Sequence, residues 1–252
     1  MTELQWKSFC DFKASFYQKV AEWNQHSNEL KTLQKNAADK ASTPEYPIET
    51  PVVYNKALDD IKGEDEIKLI VIGDNPGKNE QLAKNQKYLV GQAGKIAEGF
   101  FRRNAELEID FRKNVIILNK TPIHSAKTAQ LKAIAREGGR QIEQLILESQ
   151  LWMAQATASL LEKLNEHGKN STELWLVGYS ELKSNGIFGV YKEELKKSCS
   201  QQVWKNIKVF QHFSMNCFAK DLKNLEKDAP QKTLKELLDE LGTKHRKEIF
   251  GE

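Results

Sequence analysis

The chain has 252 residues and a mass of 28.8 kDa, which is long enough for one large α/β domain or two small ones. Hydrophobic residues make up 39% and charged residues 29%, a composition typical of a folded globular protein rather than a disordered or fibrous one. The 38 Lys and Arg residues and 35 Asp and Glu residues leave a net charge of +3. Any affinity for nucleic acid must therefore come from a local basic patch.

Export signals, membrane spans and metal clusters each leave sequence patterns that this chain lacks. No run approaches the roughly 18 apolar residues of a membrane span. Met1 to Trp6 lacks the basic and then apolar segments of an export signal. The three cysteines, Cys10, Cys199 and Cys217, are scattered without a CxxC pair. We therefore expect a cytoplasmic protein with reduced thiols and no metal or other cofactor, and we expect it to be a monomer.

The N-terminal part of the chain predicts a helix followed by a connector. From Leu4 to Lys35, large apolar residues recur every three or four positions, which is the spacing of one helical face. Residues 37–51 contain three prolines, which disfavour helix and predict an extended segment. We therefore expect residues 1–50 to pack, as a helix and connector, on a main domain of residues 51–252.

Four short and almost continuously apolar runs follow, namely IKLIVIG, NVIILN, ELWLVG and IKVFQHF, which begin at residues 67, 114, 173 and 207. Such runs are typical of parallel strands covered on both faces. Helical patterns separate them at 95–104, 126–167 and 190–197, and Gly138-Gly139 is expected to break the second pattern. The sequence therefore predicts a three-layer α/β/α fold with a central four-stranded parallel sheet. A C-terminal helix is expected at 232–241, followed by a solvated charged end, KHRKE.

Polar residues follow these strands where the carboxyl ends of a parallel sheet meet. Gly73-Asp74-Asn75-Pro76-Gly77 follows the first strand, Asn119 ends the second and His212 lies at the end of the fourth run. Open parallel sheets bind ligands at this edge, so these side chains are expected to converge. Tyr88, between the first two strands, could present a stacking surface. Each residue alone also fits a structural role, as a turn former, a loop cap, a packed tyrosine or a structural histidine.

These motifs, in this order, resemble those of the uracil-DNA glycosylase superfamily over roughly residues 51–222. GDNPG resembles the turn that positions the hydrolytic water, and YLVGQAG resembles the loop whose aromatic residue stacks on the flipped base. IILN resembles the strand whose asparagine reads the uracil edge. GYSELKSNG is similar to the third-strand exit of the thermophilic branch, and HFSMN to the motif whose histidine faces the uracil carbonyl. The resemblance implies a metal-independent hydrolase that removes uracil, or a related damaged pyrimidine, from DNA.

The resemblance also implies a role for individual residues. Asn75, with Asp74 as the second choice, would position the water, and His212 would stabilise the departing base. The expected substrate-binding residues are Gly73, Pro76, Gly77, Tyr88, Asn119 and Ser214.

Three further residues are expected to contact DNA. Phe213 and Met215 could wedge between bases, and Lys120 could hold a phosphate together with other lysines near the motif loops. Phe213 departs from the resemblance, because the motif has proline there, and the cluster cysteines of the thermophilic branch are absent. The departures in the first and last motifs, GDNPG and HFSMN, keep a second function open, that of a superfamily member without glycosylase activity that binds DNA or a nucleobase-containing ligand.

Overall fold

A computed structural model describes residues 1–166 and 171–252 of the chain. Its centre is a sheet of four parallel strands in the order β2-β1-β3-β4. The strands are β1 (Leu69–Gly73), β2 (Val115–Asn119), β3 (Glu173–Val177) and β4 (Ile207–Phe210). Apart from Glu173, their residues are all buried, because helices cover both faces of the sheet. The predicted three-layer α/β/α fold with a four-stranded parallel sheet is confirmed.

The helices in the described ranges form the two outer layers. They are α1 (Glu3–Trp23), α2 (Ser27–Lys40), α3 (Gln92–Arg103), α4 (Gln130–Glu137), α5 (Gly139–Glu166), α6 (Gly189–Ser198), α7 (Gln201–Trp204), α8 (Cys217–Asp228) and α9 (Leu234–Phe250). In one layer, α5 contacts α1, α4 and α6. In the other, Phe101 of α3 and Phe218 of α8 pack around Trp175 of β3, and α9 contacts β4.

The N-terminal segment differs from the single predicted helix. A short 3-10 turn over Asn24–His26 separates α1 from α2, so the predicted helix is divided into two before residue 35. The buried face of α1 packs on α5, where Trp152 stacks against Phe16. The connector then runs to Val52, which pairs with Ile123 in the loop after β2. The N-terminal segment therefore reaches the carboxyl edge of the sheet.

The helices also differ from the sequence patterns at their ends. The predicted break is confirmed, because α4 ends at Glu137 and α5 begins at Gly139 with a φ of 64°. Residue 167, which the second helical pattern included, lies outside the described residues. The prediction of a solvated C-terminal end is wrong for His245 and Arg246, whereas Lys244, Lys247 and Glu248 are exposed. There α9 continues to Phe250, and His245 and Arg246 are buried. His245 hydrogen-bonds to the carbonyl group of Val209 in β4, and Arg246 donates to those of Trp204 and Ile207.

Candidate active site at the carboxyl edge of the sheet

Asn119 ends β2 beside Gly73, the last residue of β1. Its side chain is 2% exposed, and its Oδ1 lies so close to Gly73 that a Cβ at that position would clash with it. Its Nδ2 has no hydrogen-bond partner among the described residues. Buried polar groups are nearly always paired, so this nitrogen lacks the partner that a water molecule or a ligand would supply. The structure places Asn119 and Gly73 together, as their strand ends predicted.

Asp74 lies directly after β1, and the residue as a whole is 8% exposed. Its Oδ1 is 2.5 Å from Nζ of Lys120, and its Oδ2 accepts a 3.3 Å hydrogen bond from the hydroxyl group of Thr128. Gly178, which follows β3 with a φ of 98°, leaves the space for this carboxylate, because a Cβ there would clash with Oδ1. Three strand ends therefore enclose one carboxylate.

Asn75 faces the loop after β2. Its Nδ2 donates hydrogen bonds to Oγ of Ser125 at 2.9 Å and to the carbonyl groups of Ser125 and Pro76 at 3.2 Å. The Pro76 carbonyl also accepts a 2.8 Å hydrogen bond from Nδ1 of His124. These bonds tie the turn after β1 to the loop after β2.

His124 is a buried residue of the site that the sequence analysis missed. Burial lowers its pKa to about 4, which keeps the imidazole neutral. Since Nδ1 carries the proton that it donates to Pro76, Nε2 accepts from the hydroxyl group of Tyr46, 3.0 Å away. His124 therefore links the N-terminal connector to the turn after β1. No motif or spacing in the sequence marks it.

Glu80 is a second residue that sequence reasoning missed. Its carboxylate accepts hydrogen bonds from the main-chain nitrogen atoms of Gly77, at 3.1 Å, and Leu89, at 2.9 Å. Burial raises its pKa to about 7, although these two bonds and the charge of Arg112 act in the opposite direction. Glu80 therefore joins the two ends of the loop between β1 and α3. Its spacing of three residues from Gly77, typical of a side chain that returns to the main chain, is the one available signal.

The prediction that Tyr88 presents a stacking surface is wrong. Tyr88 is completely buried, and its hydroxyl group donates a 2.6 Å hydrogen bond to the carbonyl group of Val53. Its main-chain nitrogen donates to Oδ1 of Asn55, and burial raises the pKa of its hydroxyl group well above the ordinary value. The ring therefore packs in the core, where the carbonyl group of Val53 satisfies its polar end.

His212 follows β4 and is half-buried. Its Nδ1 lies 2.7 Å from the hydroxyl group of Ser214 and accepts a 3.1 Å hydrogen bond from the main-chain nitrogen of that residue. Burial lowers the pKa of the imidazole; the charge of Asp74 opposes this shift and that of Lys120 adds to it. His212 therefore lies within the electrostatic reach of the Asp74 carboxylate, at the same edge of the sheet.

Two of the three predicted DNA contacts are wrong. Phe213 is completely buried and packs on Phe218, with ring centroids 5.1 Å apart, because it completes an aromatic cluster under α8. Lys120 is also completely buried, since its ammonium group pairs with Asp74 instead of facing solvent. Met215 is 82% exposed on the same loop, so its predicted contact with DNA stays a prediction.

Other cavities and sites bear on the choice of function. A broad cleft of about 1730 Å³ lies at the opposite, amino-terminal edge of the sheet, and its lining mixes acidic and basic residues. In residues 1–166 and 171–252, no group of three His, Cys, Asp or Glu side chains is arranged to hold a metal ion. No helix in these ranges is long and apolar enough to cross a bilayer.

Comparison of the chain with protein-family models, curated proteins and solved structures gave no significant match.

Proposed function

We propose that this chain is a DNA glycosylase, which hydrolyses the N-glycosidic bond of uracil or of a related damaged pyrimidine after the base is flipped out of the helix. The observation that carries this proposal is the convergence of Asp74, Asn119 and His212 at one edge of the sheet. A carboxylate, an unpaired amide donor and a neutral imidazole are the groups that this reaction requires. The resemblance of the surrounding motifs to the uracil-DNA glycosylase superfamily supports the same conclusion.

The carboxylate is suited to the water side of the reaction. Cleavage passes through an oxocarbenium-like sugar, so a negative group next to the attacking water stabilises the transition state. We assign this role to Asp74, in preference to Asn75, because the neutral amide of Asn75 cannot stabilise positive charge on the sugar and its Nδ2 is held by Ser125 and Pro76. Oδ2 of Asp74, by contrast, has a single 3.3 Å contact with Thr128.

The amide and the imidazole are suited to the base. The carboxamide of Asn119 can donate through Nδ2 and accept through Oδ1, which matches the neighbouring carbonyl and N–H groups on the edge of uracil. The imidazole of His212 would donate from Nε2 to the carbonyl oxygen on which negative charge develops. Gly73, Pro76, Gly77 and Ser214 would shape the pocket around these two groups.

A second candidate function is binding of a nucleobase-containing ligand without cleavage. One observation favours it: the ammonium group of Lys120 already occupies one oxygen of Asp74, which makes the carboxylate a weaker base. DNA as the partner, a monomeric state and a cytoplasmic location stay predictions from the sequence under either function.

A gel assay separates the two functions. The protein is incubated in excess with labelled single-stranded and double-stranded oligonucleotides that carry one uracil, and abasic sites are cleaved with alkali. We expect cleavage at the uracil position, none in the thymine control, and a large loss in Asn119→Ala but not in Asn114→Ala, which changes the residue that precedes β2. Binding without cleavage would favour the second function, and neither binding nor cleavage would contradict both.

A further inference from the structure

We propose that Lys120 is a positioning residue for Asp74, whose carboxylate it holds so that Oδ2 faces the attacking water. The inference deepens the proposed glycosylase function and rests on it. It replaces the predicted role of Lys120 as a phosphate contact, which its burial rules out.

The ammonium group of Lys120 has one defined orientation. Its Nζ donates to Oδ1 of Asp74 at 2.5 Å, to the carbonyl group of Val177 at 2.6 Å and, more weakly, to that of Gly73 at 3.4 Å. An ammonium group has three hydrogens, so these three acceptors use all of them. The ring of Phe188 lies 5.0 Å away.

The position of Lys120 in the chain explains how it reaches the carboxylate. Its main-chain nitrogen hydrogen-bonds to the carbonyl groups of Gly73, at 3.0 Å, and Asp74, at 3.1 Å, so the end of β2 is fixed to the end of β1. Its side chain reaches past β1 to Val177 at the end of β3. Two consecutive residues at the end of β2 therefore have different proposed roles. Asn119 would hydrogen-bond to the ligand, and Lys120 holds the carboxylate of Asp74.

The ion pair is poorly explained by stability alone. The Lys120 side chain is completely buried, and that of Asp74 is 10% exposed. Removing two charges from water is so costly that apolar replacements of a buried ion pair are often as stable or more stable. What the pair does provide is orientation, because it occupies Oδ1 and leaves Oδ2, with its one contact to Thr128, as the oxygen available to water.

The test measures single-turnover excision by Lys120→Met, with Lys113→Met, an exposed lysine before β2, as the matched control. We expect Lys120→Met to lower the maximal rate by about a hundredfold, because misplacing a reacting group by about 1 Å costs that much. The DNA concentration for half-maximal rate should not change, and Lys113→Met should match the parent. Because Lys120 acts through Asp74, adding Lys120→Met to Asp74→Asn should cause no further loss of rate.

Each outcome decides between a positioning and a structural role. An active parent whose rate survives in Lys120→Met would overturn the inference, as would losses that multiply in the double variant. If Lys120→Met alone does not fold, the rates of Asp74→Asn and the double variant are compared instead. The double variant leaves no unpaired buried charge, so it tests the positioning role without that cost in stability. A parent with no activity on any uracil-containing strand would instead overturn the proposed function itself.

Discussion

The main-chain nitrogen of Ser214 donates a 3.1 Å hydrogen bond to Nδ1 of His212. A ring nitrogen that accepts a hydrogen bond carries no proton, so the neutral imidazole has its proton on Nε2. Burial lowers the pKa of His212, which favours this neutral form at physiological pH. The loop after β4 therefore prepares Nε2 as a hydrogen-bond donor before any substrate binds.

A donor to developing charge acts on the rate rather than on binding. We expect His212→Ala to remain folded by circular dichroism, to bind DNA about as well as the parent, and to lose roughly a hundredfold or more in single-turnover rate. The parent rate should not fall as the pH rises from 6.5 to 8, because the lowered pKa of His212 means that a rising pH only favours the neutral imidazole. A variant that melts well below the parent but keeps its rate per folded molecule would make His212 a structural residue.

Glu80 should make stability depend on pH. Its pKa is raised from 4.5 to about 7 in the folded protein, so folding favours the protonated carboxyl group. This contribution to the free energy of unfolding is fully present below pH 4.5 and is lost as the pH rises through 7. The total loss amounts to about 3 kcal/mol. Between pH 4.5 and pH 8, the free energy of unfolding should therefore fall more in the parent than in Glu80→Gln.

Urea unfolding at several pH values measures this difference, because other titrations cancel between parent and variant. Glu106→Gln removes an exposed carboxylate and should follow the parent curve. Parallel curves for the parent and Glu80→Gln would show that Glu80 titrates alike in the folded and unfolded chains.

The hydroxyl group of Tyr88 should matter for stability alone. Tyr88→Phe leaves the buried carbonyl group of Val53 unpaired, which should cost about 1–3 kcal/mol in the free energy of unfolding. Tyr17→Phe, at a ring that is 62% exposed, should change it by less than about 0.5 kcal/mol. Tyr88→Leu removes the whole ring and should keep its rate per folded molecule. A selective loss of rate in Tyr88→Leu would restore the stacking role.

Phe213 and Met215 form a matched pair on one loop. Phe213→Ala removes a completely buried ring and should cost about 3–5 kcal/mol in stability. Met215→Ala should leave the melting temperature unchanged and lower the excision rate on double-stranded DNA more than on single-stranded DNA, because a wedge acts on stacked bases. Equal rates for Met215→Ala and the parent on both substrates would exclude the wedge.

Much of the fold could be predicted because buried parallel strands are apolar on both faces, a pattern that does not depend on distant residues. The ends of helices were harder. Asn24, Gln25 and His26 separate α1 from α2 without a glycine or proline to mark the break. His245 and Arg246 lie in a charged segment of the kind that is usually solvated, but both are buried and hydrogen-bond to main-chain carbonyl groups in or near β4. Those acceptors leave no signal in the sequence.

The site was predictable to the extent that topology determines it. Parallel strands bring their carboxyl ends together, so the positions of Asp74, Asn119 and His212 followed from the chain order alone. The direction of each side chain did not, because it depends on partners distant in sequence. The hydroxyl group of Tyr88 is buried because it hydrogen-bonds to Val53, and the ammonium group of Lys120 is buried because it pairs with Asp74.

The central claim is that the Asp74 carboxylate promotes hydrolysis of a glycosidic bond. The most direct test is mass-spectrometric measurement of free uracil released from a uracil-containing oligonucleotide by excess protein. We expect the parent to release one uracil per strand, and Asp74→Asn to do so at least about a hundredfold more slowly, as for loss of a general base. Asn75→Ala should lower the rate less, because the Asn75 amide holds the turn after β1 and does not itself contact the water. Absence of free uracil with the parent, or an unchanged rate in Asp74→Asn, would contradict the account.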